Sequence, residues 1–142
     1  MPNWCLNRVD VTGDPALIRK FQKAVAGTRK NENKQFSFNR IIPMPVAYKK
    51  MASTALKKKY GAEDWYSWCV QNWGTKWDVT VDDDDDVLED EEHEQTYGRL
   101  CYSFNTAWGP PKPICVKLRH MFPDLTIVWF YDEPGNADAG YL

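Results

Sequence analysis

The densest run of side chains suited to binding is Asn72-Trp73-Gly74-Thr75-Lys76-Trp77-Asp78. Indole rings offer stacking faces, while Asn, Thr, Lys and Asp offer directed hydrogen bonds and charge. Such a set can line a pocket. It can equally be structural, with Asn72 and Asp78 satisfying backbone groups at a helix-to-strand turn and the indoles filling the core. Thr106 and Trp108 lie at the end of a later strand and would sit near Trp77 if the two strands pair. For Trp77 and Trp108 the core reading is preferred, because large rings bury much area.

Catalytic chemistry is poorly served. His93 sits inside an acidic run, and His120 falls at the end of an amphipathic helix, where a cation suits the helix dipole. Glu133 could act as an acid or base beside Tyr131, but a lone carboxylate is not a catalytic constellation. No glycine-rich phosphate loop and no H-E-x-x-H occurs. The four cysteines, Cys5, Cys69, Cys101 and Cys115, form no C-x-x-C pair and have no zinc-site spacing. They read as free, core-filling thiols. We therefore expect no metal, no cofactor and no enzyme activity.

Charge is unevenly placed. Ten of the thirteen residues from Asp82 to Glu94 are acidic, and without them 18 basic side chains face 10 acidic ones, a net charge of +8. Asp82, Asp83, Asp84, Asp85 and Asp86 cannot pack in a core, so they read as an exposed tip that solubilises the chain, folds back onto the basic face, or meets a basic partner. The basic remainder includes Lys57, Lys58 and Lys59, which suggest either a solvated helix face or phosphate contacts to a nucleic acid. The aromatic RNP pattern of single-strand RNA readers is missing.

The elements that must hold these residues follow from periodicity. Strands are expected over 3–12, 36–42, 77–81, 100–108 and 125–131, by alternation. Asp14-Pro15 caps a helix running to Ala26, and Pro110-Pro111 opens another that Pro123 stops. Residues 46–72 read as helical, broken at Gly61, and 82–96 as an acidic loop. From Glu133 onward the chain reads as irregular. The order implies one ferredoxin-like α+β domain over 1–142: an antiparallel sheet of β-α-β-β-α-β type, a helical insertion after strand two and an acidic hairpin tip. With 142 residues a core needs no disulfide or metal, and no apolar run is long enough to span a membrane. The N-terminus lacks the pattern of a signal peptide, so a cytoplasmic location is expected.

Several strings go beyond periodicity. Met1-Pro2-Asn3-Trp4-Cys5-Leu6-Asn7, Trp65-Tyr66-Ser67-Trp68-Cys69, Asn72 to Asp78, Phe104-Asn105-Thr106-Ala107-Trp108 and Tyr131-Asp132-Glu133-Pro134-Gly135 occur in that order. Together they resemble the YubB-like ferredoxin-like-domain family of phages and conjugative plasmids. The acidic tip and Asn136-Ala137-Asp138-Ala139-Gly140 depart from that pattern. The resemblance implies the fold and a mobile-element setting, but no reaction. The expected role is a small accessory protein that binds a host protein, plausibly to antagonise defence. The alternatives are a nucleic-acid-binding module using the basic 19–76 region and a small-ligand binder or enzyme built on Trp77 and Trp108.

Overall fold

Strand β1 (Trp4–Gly13) alternates strictly, with Cys5, Asn7, Val9 and Val11 buried and Trp4, Leu6 and Arg8 exposed. That alternation makes it a central strand with one face in the core. The computed structural model describes residues 3–27, 35–49, 51–79, 88–89 and 98–142. In it β1 pairs antiparallel with β3 (Gly98–Ala107) on one side and with β4 (Thr126–Glu133) on the other. The short β2 (Leu88–Glu89) edges β3, and β5 (Asp138–Tyr141) edges β4, giving the order β2-β3-β1-β4-β5. β1 and β2 thus run parallel with β3 between them, and β3 and β4 run parallel with β1 between them. Those are two interleaved split βαβ units, the ferredoxin-like arrangement.

Helix α1 (Pro15–Val25) starts as expected: Asp14 Oδ1 accepts the Ala16 N–H at 2.8 Å, and Pro15 takes the first position. It is followed by α2 (Phe38–Ile41), a 3-10 turn (Val46–Lys49), α3 (Ser53–Tyr60), α4 (Trp65–Trp73) and, after β3, α5 (Lys112–Met121). Residues of α1, α2, α4 and α5 join one core with Val9, Val11, Tyr102, Phe104 and Trp129. Phe36 is the wedge at its centre, its ring 5.0 Å from Phe104 and 5.1 Å from Tyr102.

Four expectations are corrected. First, 36–42 is not a strand. Asp78 accepts the Ser37 hydroxyl and the backbone N–H groups of Phe38 and Asn39, so it satisfies the free donors of a helical turn. Second, the helical insertion follows α1 and precedes strand two, rather than following it. Third, 77–79 is not extended into a sheet. The partner of β3 is β2, which lies inside the acidic run, so the loop placed over 82–96 contains a strand. Asp82, Asp83, Asp84, Asp85 and Asp86 themselves lie outside the described residues. Fourth, the C-terminus is not irregular: it is ordered into a 3-10 turn (Pro134–Asn136) and the edge strand β5.

All helices joined to the core lie against one face of the sheet. The other face carries Trp4, Leu6, Val128 and Tyr141, all exposed. At its middle the Arg8 and Arg99 guanidinium groups share the single Asp10 carboxylate at 3.5 and 3.2 Å. No helix among the described residues is long and apolar enough to cross a membrane.

The four cysteines are all buried and free. Burial pushes the thiols of Cys5 and Cys69 up to about 11. At Cys5 a hydrogen bond with Thr106 opposes that rise and the Glu133 carboxylate adds to it. A raised native pKa means that the folded state keeps its protons while the unfolded thiols lose theirs. The stability they contribute is intact below the ordinary thiol value of 9.0 and is lost as pH rises through about 11. Cys69→Ala should therefore flatten the alkaline fall in melting temperature relative to the unaltered chain. An identical slope would show that this thiol plays no part in it.

Candidate binding surface

The run from Asn72 to Asp78 divides into a buried frame and an exposed display. Asn72 donates to the Trp68 carbonyl at 3.0 Å, and the buried Trp73 donates its indole N–H to the Ile42 carbonyl at 2.9 Å. Gly74 ends α4 in the left-handed region at φ 81°, and a Cβ there would meet Pro113 at 2.9 Å. Only glycine allows that turn against the start of α5. Thr75 is buried and donates to the Ala107 carbonyl at 3.0 Å, which ties the segment to the end of β3. Asp78 turns inward to cap α2. The structural reading holds for Asn72, Trp73, Thr75 and Asp78.

It fails for the other indoles. Trp77 is 41% and Trp108 53% exposed, and Trp4 joins them at 46%. The Trp4 and Trp77 ring centroids lie 6.2 Å apart. The Lys76 ammonium sits 4.0 Å from the Trp77 centroid and 6.0 Å from that of Trp108. Trp77 and Trp108 are thus neighbours as expected, but on the surface and with a cation between them. The expected core placement overlooked Trp108's backbone: its φ of 74° lies in the left-handed region, which β-strand burial does not use.

A buried polar chain fixes that backbone. The Trp129 indole donates to Asn7 Oδ1 at 3.0 Å, and Asn7 Nδ2 donates to Thr106 Oγ1 at 2.8 Å. The Thr106 hydroxyl then donates to the Gly109 carbonyl at 2.6 Å. The Trp108 N–H meets the Asn3 carbonyl at 2.8 Å. Trp108 is therefore pinned from both sides, by Asn3 and by Gly109. Thr106 serves as a positioning residue rather than as a contact. Trp4 and Asn7 were the residues missed as part of this site. The signal for Asn7 was its place in the buried register Cys5, Asn7, Val9, Val11, where an amide needs partners.

Tyr131 and Glu133 lie at the end of β4. The Tyr131 hydroxyl donates to Asp138 at 3.3 Å, and burial together with that carboxylate raises its pKa. Glu133 is buried. Its Oε2 accepts the Asn136 N–H at 2.8 Å and caps the 3-10 turn, while Oε1 has no hydrogen-bond partner among the described residues. The carboxylate is a cap, and it is not hydrogen-bonded to Tyr131. Lys57, Lys58 and Lys59 occupy the last turn of α3, where cations offset the helix dipole. His120 is exposed at the end of α5, and His93 lies outside the described residues. Among the described residues no group of three or more His, Cys, Asp or Glu is placed to hold a metal.

The sheet order, the helices on one face and the interleaved βαβ units define a ferredoxin-like α+β domain. Residues 72–142, half of the chain, match the family described as the ferredoxin-like domain in Api92-like protein, and the chain belongs to that family. The structure is similar to the crystal structure of the protein api92 from Yersinia pseudotuberculosis. The TM-score is 0.66 at 12% identity, over 99% of this chain and 93% of that one. At that identity the likeness is one of fold. No curated protein matches the sequence.

Proposed function

We propose that this chain is a non-catalytic binding module that engages a host macromolecule through Trp4, Lys76, Trp77 and Trp108. The setting inferred from the YubB-like sequence resemblance is the cytoplasm of a cell carrying a phage or plasmid, where such a module would serve to blunt host defence. The observation that carries the reading is Trp108, a half-exposed indole held in a left-handed backbone by hydrogen bonds on both sides. Strain of this kind persists where the surrounding structure over-determines it, and it clusters at ligand-contacting positions. Exposed Trp is also the residue type most enriched at binding hot spots.

The test is a comparison of retained macromolecules. Tagged wild-type chain and a Trp77→Ala/Trp108→Gly double variant are passed through the same cell lysate, and both bound protein and bound nucleic acid are recovered. The wild type is expected to hold at least one species that the double variant loses. Identical retention by the two would sink the proposal.

A further inference from the structure

We infer that the macromolecule is a single-stranded nucleic acid, its bases stacked on Trp4, Trp77 and Trp108 and its phosphates held by Lys76. The inference rests on the binding-module reading and names the partner's chemistry. Its ground is the combination of charge and rings at one end of an uncovered sheet face. The Lys76 ammonium has no carboxylate within ion-pair distance among the described residues, and it is flanked by two indoles. Protein interfaces deplete Lys at their centres, whereas single-strand grooves set cations beside stacking rings.

The surroundings add positive charge. Exposed Lys112 opens α5, whose first turn holds no acidic residue, and its backbone N lies 3.2 Å from where a Gly74 Cβ would stand. Two guanidiniums, Arg8 and Arg99, share Asp10 farther along the same face. Among the described residues the carboxylates on that face are Asp10, already shared by the two guanidiniums, and Asp132, opposite Leu6. Trp4, Leu6 and Arg8 are all exposed on the same face of the central strand, so a nucleic acid stacked on Trp4 can run along them. Asn105 and Ser103, partners of Leu6 and Arg8 on β3, offer hydrogen-bonding side chains along that path. Base–ring stacking tolerates any sequence, because every base has a π face, so the expected preference is for single strands over a duplex rather than for a motif.

The experiment measures fluorescence anisotropy of labelled oligothymidylate and oligouridylate, about 16 nucleotides long, with a duplex of equal length as control. The full chain should bind both single strands more tightly than the duplex. Trp77→Ala should weaken binding about tenfold and Trp108→Gly at least about 30-fold at fixed salt. Lys76→Gln should make the log–log salt slope shallower by about 0.7, the share of one phosphate on a single strand. All these side chains are partly exposed, and melting curves of each variant separate lost contact from lost folding. Equal affinity for the duplex, or ring variants that bind as tightly as the wild type, would overturn the inference. If no oligonucleotide binds at low salt while the wild type alone retains a protein from lysate, the nucleic-acid inference falls and the binding module stands. If neither nucleic acid nor protein distinguishes the variants, both fall.

Discussion

Trp108→Gly is expected to leave the melting temperature unchanged or slightly higher while reducing partner binding by at least about 30-fold. The stability half of this result follows from backbone geometry. A residue other than glycine in the left-handed region costs about 1–2 kcal/mol, and Trp108 sits there at φ 74°. Glycine removes that cost. Against it stands the greater freedom of glycine in the unfolded chain, about 0.5–1 kcal/mol, and the loss of a ring already 53% exposed. The opposing contributions leave a net change within about 1 kcal/mol. A buried indole would behave otherwise, since truncating it costs about 3–5 kcal/mol. The binding half follows from the ring's place beside Lys76, because a Trp hot spot is worth about 2 kcal/mol or more. Thermal unfolding and partner titration on the same variant test both halves. A large fall in melting temperature would show that the ring packs in the core, and undiminished binding would remove it from the contact surface.

Much of the fold was legible because its signals are local. The alternation in 4–13, the Asp14-Pro15 start and the proline-bounded last helix each depend on neighbours within a few residues, and each appears where expected. The misplacements have causes distant in sequence. Phe36 and Phe38 read as strand residues by their spacing, but Asp78 supplies the hydrogen-bond acceptors that turn 38–41 into a helix. The strand beside β3 was sought in Trp77, Val79 and Val81, whereas β2 lies inside an acidic run with no apolar alternation to mark it. The size of Trp77 and Trp108 favours burial. What exposes them is the Thr75 tie to Ala107 and the left-handed turn at Trp108, and neither is written in residue type. The adjacency of the two indoles was legible from the order of the elements, but the direction they face was not.

Asn7→Leu should destabilise the domain by about 3 kcal/mol although it keeps the branched outline of the side chain. Asn7 is fully buried, and its amide is satisfied on both atoms: Oδ1 accepts from Trp129, and Nδ2 donates to Thr106 Oγ1 and to the Cys5 carbonyl at 3.1 Å. Leucine leaves the Trp129 indole N–H without its acceptor and the Thr106 hydroxyl oxygen without its donor in a region closed to water. Each such buried orphan costs about 1–3 kcal/mol. The effect should extend to function, because Thr106 carries the chain onward to Gly109, next to Trp108. With Asn7 gone the Thr106 hydroxyl loses a donor but keeps its own bond, so the loop is loosened rather than released. Thr106→Val removes both bonds at once. If Asn7, Thr106 and Gly109 act as one network, the double variant should be less destabilised than the sum of the two singles, by about 1–2 kcal/mol. Urea unfolding of the wild type, both single variants and the double variant gives that coupling directly. Additive losses would mean that Asn7 supports Trp129 alone, and the hold on Trp108 would then rest on Asn3 and on Thr106 acting independently.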